Sequence, residues 1–175
     1  MKLVERVGGF LTEAGVPFAL IGASAMSAHG VVRASIDQDL LTTDFSCLLR
    51  AFWTTFQYAG AEIEIRKGDA TDPLAGVIRF SAPSEQPVDV VVGKHSWQIQ
   101  ILKRAVAKPG SPFPVVRAAD LILLKLFAGG PQDAWDIEQL LAGKDRLDLI
   151  QEVEREIAPL PKDARTLWRK ILGAS

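Results

Sequence analysis

Asp37-Gln38-Asp39 places two carboxylates one residue apart at the start of the apolar run that continues through Leu40 and Leu41. Successive strand side chains point to opposite faces, so on a strand Asp37 and Asp39 share a face, about 6–7 Å apart at a rise of about 3.3 Å per residue. Two carboxylates at that spacing can converge on one or two hard divalent cations. A third acid, Asp89, sits among Val88, Val90, Val91 and Val92. A carboxylate in such a run carries a large desolvation cost unless it is paired or faces a cation. The next base along the chain is Lys94. One reading has Asp37 capping a turn and Asp89 paired with a distant arginine. The other has all three acids converging on Mg²⁺ or Mn²⁺, and the all-valine setting of Asp89 favours it. Such ions take oxygen ligands and share them with substrate phosphates. Two of them about 3.5–4 Å apart suit an in-line phosphoryl or nucleotidyl displacement. Asp89, expected to be the most desolvated of the three, is the candidate to draw the proton from an attacking hydroxyl.

Phosphates need a cradle as well. Gly22 ends an apolar run, and Ala23 and Ser24 open a helix-permissive stretch, which puts free backbone N–H groups beside the carboxylates. An ordinary glycine turn would look the same. Arg33, just before the aspartate pair, could neutralise phosphate charge. Lys125 lies in the otherwise apolar stretch from Leu121 to Phe127 and either snorkels to solvent or serves the site. Asp133 and Asp136 share a helical face.

These residues require elements to hold them. Residues 2–14 have helical periodicity and Pro17 to Ile21 reads as a buried strand; a short helix follows to Gly30. Asp37 to Thr42 is the second strand. Asp44 or Ser46 caps an expected helix running to Phe56 and ending near Gly60. Residues 61–66, 76–82 and 88–92 read as three more strands, the last a central one buried on both sides. Helices are expected over 96–105, from Arg117 to Phe127, and over about 132–142, 145–157 and 161–172. The fold class is therefore α+β: a small mixed or antiparallel sheet of about five strands flanked by helices, with a helical C-terminal extension. The division falls into an α/β core at 1–93 and a mainly helical region at 94–175 packed on it.

Composition removes several alternatives. A 48% hydrophobic and 23% charged chain of 175 residues is globular rather than disordered. The net charge of −1 does not mark the molecule as a whole as a polyanion binder. Residues 94–117 nevertheless hold Lys94, Lys103, Arg104, Lys108 and Arg117 without an acid, a strip that could guide RNA. One cysteine, Cys47, excludes an intrachain disulfide framework and fits a cytoplasmic setting. No apolar run approaches the roughly 20 residues that span a bilayer. With only His29 and His95 and no Cys-x-x-Cys, a structural zinc site has no ligand set, and neither a P-loop nor a dinucleotide fingerprint occurs.

The order strand, glycine turn, helix, Asp-x-Asp, later strand Asp resembles the nucleotidyltransferase superfamily of DNA-polymerase-β-like fold. Its hallmark is an apolar residue, Gly, then Gly or Ser, a spacer of about nine to thirteen residues, and Asp-x-(Asp/Glu). Here Ile21-Gly22-Ala23 precedes Asp37-Gln38-Asp39 by thirteen residues. The stretch from Ala19 to Asp37, with the helices Ala119–Ala128 and Gln132–Ile137, is similar to the small bacterial branch of AbiEii-type toxins and minimal nucleotidyltransferases. The resemblance covers roughly residues 17–141. It implies Asp37, Asp39 and Asp89 as metal ligands and Gly22, Ala23, Ser24, Arg33 and Lys125 on the nucleotide, with Asp133 or Asp136 orienting Lys125 or the acceptor. The implied reaction moves a nucleoside monophosphate from a nucleoside triphosphate to a hydroxyl of RNA (such as tRNA), of protein or of a small molecule. An antitoxin protein is an implied partner. Ala23 departs from the Gly or Ser of the pattern, which leaves a second reading open: a catalytically impaired relative that binds nucleotide or a partner protein.

Overall fold

Val88–Val92 is the strand around which the others are arranged. The computed structural model describes residues 1–173. In chain order the elements are α1 (Leu3–Glu13), β1 (Phe18–Leu20), α2 (Gly22–Ala28), β2 (Gln38–Thr42), β3 (Glu62–Lys67), β4 (Gly76–Ser81) and β5 (Val88–Val92). The helices α3 (Ser96–Arg104), α4 (Ala118–Ala128), α5 (Pro131–Leu141), α6 (Arg146–Glu156) and α7 (Lys162–Gly173) follow. Among the described residues the strands form one mixed sheet of order β1-β2-β5-β4-β3. β2 and β5 are parallel, and every other pairing is antiparallel. The fold is thus α+β, with its five strands close to the expected boundaries.

One face of the sheet is the main core. Leu40, Val88, Val90, Val92, Ile78 and Phe80 are buried there, against α1 and the segment after β2. An unbroken helix was expected in that segment. Two short 3₁₀ turns, Phe45–Leu48 and Arg50–Trp53, stand in its place. The indole of Trp53 donates to the Cys47 carbonyl at 2.8 Å, which fixes the bend between the turns. It also lets Phe52, Trp53 and Phe56 all pack around Phe10. Tertiary aromatic packing has overridden local helical periodicity here.

β5 is central, as expected, but it is not buried on both sides. Val88, Val90 and Val92 are buried while Asp89 and Val91 are half-buried. The second face is only partly covered, with α2 packed on β2 and on α4. Beyond β5 the chain is helical, and it returns to the sheet at one point. Leu20 donates to the Pro114 carbonyl at 2.8 Å and Val116 donates back to Leu20 at 3.2 Å. This bridge along the β1 edge sets where α4 begins. No helix among the described residues is long and apolar enough to cross a membrane.

Candidate active site

The carboxylates lie on the partly covered face of the sheet. The parallel pairing of β2 and β5 makes Asp39 and Asp89 register partners. The antiparallel pairings put Arg79 opposite Asp89 and Glu64 opposite Arg79. A row of charge, Asp39–Asp89–Arg79–Glu64, therefore crosses four neighbouring strands, because cross-strand partners project to the same face. Asp37, two residues before Asp39, joins this row from the entrance to β2. Its Oδ1 accepts from the Ser35 hydroxyl at 3.1 Å, and its Oδ2 is 3.8 Å from Arg79 Nη2.

Arg79 is the distant arginine of the alternative reading of Asp89, a residue that the sequence did not single out. Its Nη1 donates to Asp89 Oδ2 at 2.8 Å, so Asp89 has the basic partner that its own strand does not supply. The sequence signal was only the turn between the strands at 76–82 and 88–92; the register that sets residue 79 opposite residue 89 comes from a hairpin centred on Ser84, the one non-glycine residue with positive φ (62°) among those described. The partnership is incomplete, because Asp89 Oδ1 is buried without a hydrogen-bond partner. Burial raises the Asp89 pKa; Arg79 opposes that and Asp37 adds to it.

Asp39, not Asp89, is the most desolvated acid of the three. Burial, followed by the charges of Asp37 and Asp89, pushes its pKa up to about 6, against the opposing pull of Lys125 and Arg33. The cause is close packing at the glycine turn. Gly22 has φ +58°, and a Cβ built on it would fall 2.0 Å from Asp39 Oδ2. The Ile21 N–H also donates to the Asp39 carbonyl at 3.0 Å. Glycine is thus required at residue 22 twice over, for its backbone conformation and for the carboxylate pressed against it. Ala23 is buried and Ser24 is half-buried in the first turn of α2.

Lys125 does not snorkel outward. It is 6% exposed; its Nζ donates to Asp136 and lies 3.3 Å from Asp133 Oδ1. Asp136 is wholly buried and also receives Arg33 Nη1 at 3.1 Å and Gln132 Nε2 at 3.2 Å. α4, α5 and the loop before β2 are joined through this one carboxylate. Lys125 and Arg33 are near enough to Asp39 to lower its pKa, so the second charged cluster adjoins the first.

Three of the five bases in the strip expected over 94–117 are engaged by the protein itself, and Lys103 is exposed. Arg104 and Arg117 both turn inward to the buried Asp120, at 2.6 and 2.9 Å. Lys94 Nζ donates to the Asp69 and Ala70 carbonyls. His29 Nε2 is 2.8 Å from the Val116 carbonyl, a packed helix-end histidine.

Among the described residues no three His, Cys, Asp or Glu side chains already stand close enough together to hold a metal ion. The donor chemistry still fits a hard divalent cation: three neighbouring carboxylates, one of which carries a buried oxygen without a partner. Arg79 already lies against two of the three acids.

No protein-family model matches the chain, and no curated protein matches it. Among solved structures it is similar to the antibiotic-resistance factor ANT(2'')-Ia. The solution structure of that protein shares 13% identity at a TM-score of 0.47, over 98% of this chain and 92% of that one. Its crystal structure in complex with adenylyl-2''-tobramycin shares 12% identity at a TM-score of 0.48, over 98% and 96%. The Megavirus polyadenylate synthase shares 9% at a TM-score of 0.42, over 94% of this chain and 32% of that one. Likenesses this distant decide nothing about the chemistry, which rests on the geometry of the site itself.

Proposed function

We propose that the chain is a metal-dependent nucleotidyltransferase that moves a nucleoside monophosphate from a nucleoside triphosphate to a hydroxyl acceptor. The observation that carries this reading is the register pairing of Asp39 with Asp89, with Asp37 two residues before Asp39 and Asp39 pressed against the Gly22 turn. Asp37, Asp39 and Asp89 would hold Mg²⁺ or Mn²⁺. A divalent cation bound there supplies the positive charge that a triphosphate and a departing pyrophosphate demand.

The remaining roles belong to this chain's own groups. The backbone at Gly22, Ala23 and Ser24 seats the phosphates. Lys125, held by Asp133 and Asp136, and Arg33, held by Asp136, present fixed cations beside Asp39. Charge placed before the reaction begins stabilises a developing anion without reorganisation. Asp89 Oδ1, buried and without a partner, is the oxygen free to accept the acceptor's proton. RNA, protein and a small molecule are the acceptor classes, and in the toxin reading the chain is the active half of a pair with an antitoxin.

The test is transfer of label from each of α-³²P-labelled ATP, CTP, GTP and UTP, with Mg²⁺, to total RNA and to protein including the chain itself. Wild type should label an acceptor, and the double variant Asp37→Asn/Asp39→Asn should not. Full activity in the double variant would sink the mechanism. Calorimetric nucleotide binding without transfer to any acceptor would instead favour the non-catalytic binder, which the methyl group of Ala23 in the cradle permits.

A further inference from the structure

Arg79 occupies an unusual position for a cation. Its Nη1 donates to Asp89 Oδ2 at 2.8 Å while its Nη2 lies 3.8 Å from Asp37 Oδ2. One guanidinium therefore spans two of the three acids expected to hold a divalent ion, and the third, Asp39, is the register partner of Asp89. The fork is not a buried structural pair. Arg79 is 35% exposed and Asp37 33% exposed. Arg79 also lines a hollow of about 420 Å³ with Arg66, Lys67, Asp72 and Asp89, so its side chain has open space beside the carboxylates. Arg66, in the same hollow, is held instead by Glu64 at 2.8 Å and acts on Asp89 only through its charge, less than Arg79 does.

A guanidinium and a divalent cation drawn to the same two carboxylates repel one another and compete for them. We propose that Arg79 is an internal counter-cation that competes with the divalent ion for Asp37 and Asp89, and that loading of the ion moves the guanidinium off Asp89 into the adjoining hollow. This rests on the metal-dependent reading above and adds to it a residue that sets the affinity for the ion. While the ion is absent Arg79 offsets repulsion among the acids, and once it is bound Arg79 is released on the side of the site where Asp89 faces the hollow.

The experiment uses Mn²⁺ alone as probe, titrated calorimetrically into the full chain with no nucleotide present. Arg79→Gln should bind Mn²⁺ at least tenfold more tightly than wild type. Arg66→Gln, which removes the same charge from the same hollow without touching the acids, should change the affinity by less than threefold. Arg79→Gln affinity equal to or weaker than wild type, or an equal gain in Arg66→Gln, overturns the proposal. Failure of wild type and both variants to bind Mn²⁺ at all would overturn the metal-dependent reading itself and this inference with it. A second measurement needs no substitution. In ¹⁵N spectra of arginine side chains of the wild-type protein, saturating Mg²⁺ should abolish the slowed guanidinium rotation of Arg79 and leave that of Arg104 unchanged. An Arg79 signal indifferent to Mg²⁺ would show that the fork persists and that no exchange takes place.

Discussion

Asp39 and Asp89 are direct partners across the parallel strands β2 and β5, so two carboxylates are held side by side by backbone pairing rather than by flexible side chains. Like charges directly opposite one another oppose the fold. Burial first, then the charges of Asp37 and Asp89, raises the folded-state pKa of Asp39 to about 6 from 3.8. A raised carboxylate contributes stability that is complete below the unfolded value and lost as pH rises through the folded one. The metal-free protein should therefore lose stability between about pH 4 and pH 6 on account of Asp39, by at most roughly 3 kcal/mol. Asp39→Asn should raise the melting temperature relative to wild type at pH 8, with the advantage disappearing by pH 4. Thermal melts in EDTA across that range measure it, and an equal shift at both ends would sink the electrostatic explanation.

The Gly22 turn gives a steric prediction. Gly22→Ala would place a methyl group 2.0 Å from Asp39 Oδ2, on a backbone with φ +58°. The conformation alone costs about 1–2 kcal/mol, and relieving the clash displaces the carboxylate. Urea denaturation should show a loss of at least that size, and nucleotide transfer should fall further than the loss of folded protein explains. Asp39→Gly in the same background removes the clash and should recover stability without recovering activity.

Lys125 and Asp136 form a buried pair that joins α4 to α5. Breaking such a pair from one side leaves an uncompensated charge and costs about 3–5 kcal/mol. Arg33 and Gln132 remain on Asp136, so Lys125→Met should sit at the lower end of that range. The double variant Lys125→Met/Asp136→Leu should be less destabilised than the sum of the single ones. Additive losses in a denaturation cycle would show that the two residues do not act as a pair.

Asp120 is the stability counterpart, away from the carboxylate row. It is wholly buried, with Arg104 at 2.6 Å and Arg117 at 2.9 Å. Asp120→Ala should destabilise by about 3–5 kcal/mol. Adding Arg104→Leu should return part of that loss, since the stranded guanidinium disappears with its partner.

Much of the architecture was legible in the chain because it follows from local periodicity. Alternation at residues 62–67 and the valine run at 88–92 mark strands, and the glycine after Ile21 marks the turn into α2. The helix expected after Asp44 failed because its apolar spacing serves an aromatic cluster with Phe10 and Phe80, and no local window contains those partners. Of the five bases over 94–117, Arg104 is held by Asp120 from another element, which no local window contains, while Arg117 meets the same Asp120 three residues on.

The site divides along the same line. The spacing of Asp37 and Asp39 is covalent, but β2 begins at Gln38, so Asp37 sits in the bend before the strand and its place beside Arg79 is set by that bend. Asp89 was conspicuous because a carboxylate among valines requires a partner. Which partner it has, and which acid is buried deepest, were settled by strand register and packing. Register set Arg79 opposite Asp89, and the Gly22 turn closed over Asp39. Sequence determined which side chains could share a face, through the two-residue repeat of the strand. Only the tertiary structure decided which of them meet across strands, because those contacts join segments that are distant in the chain.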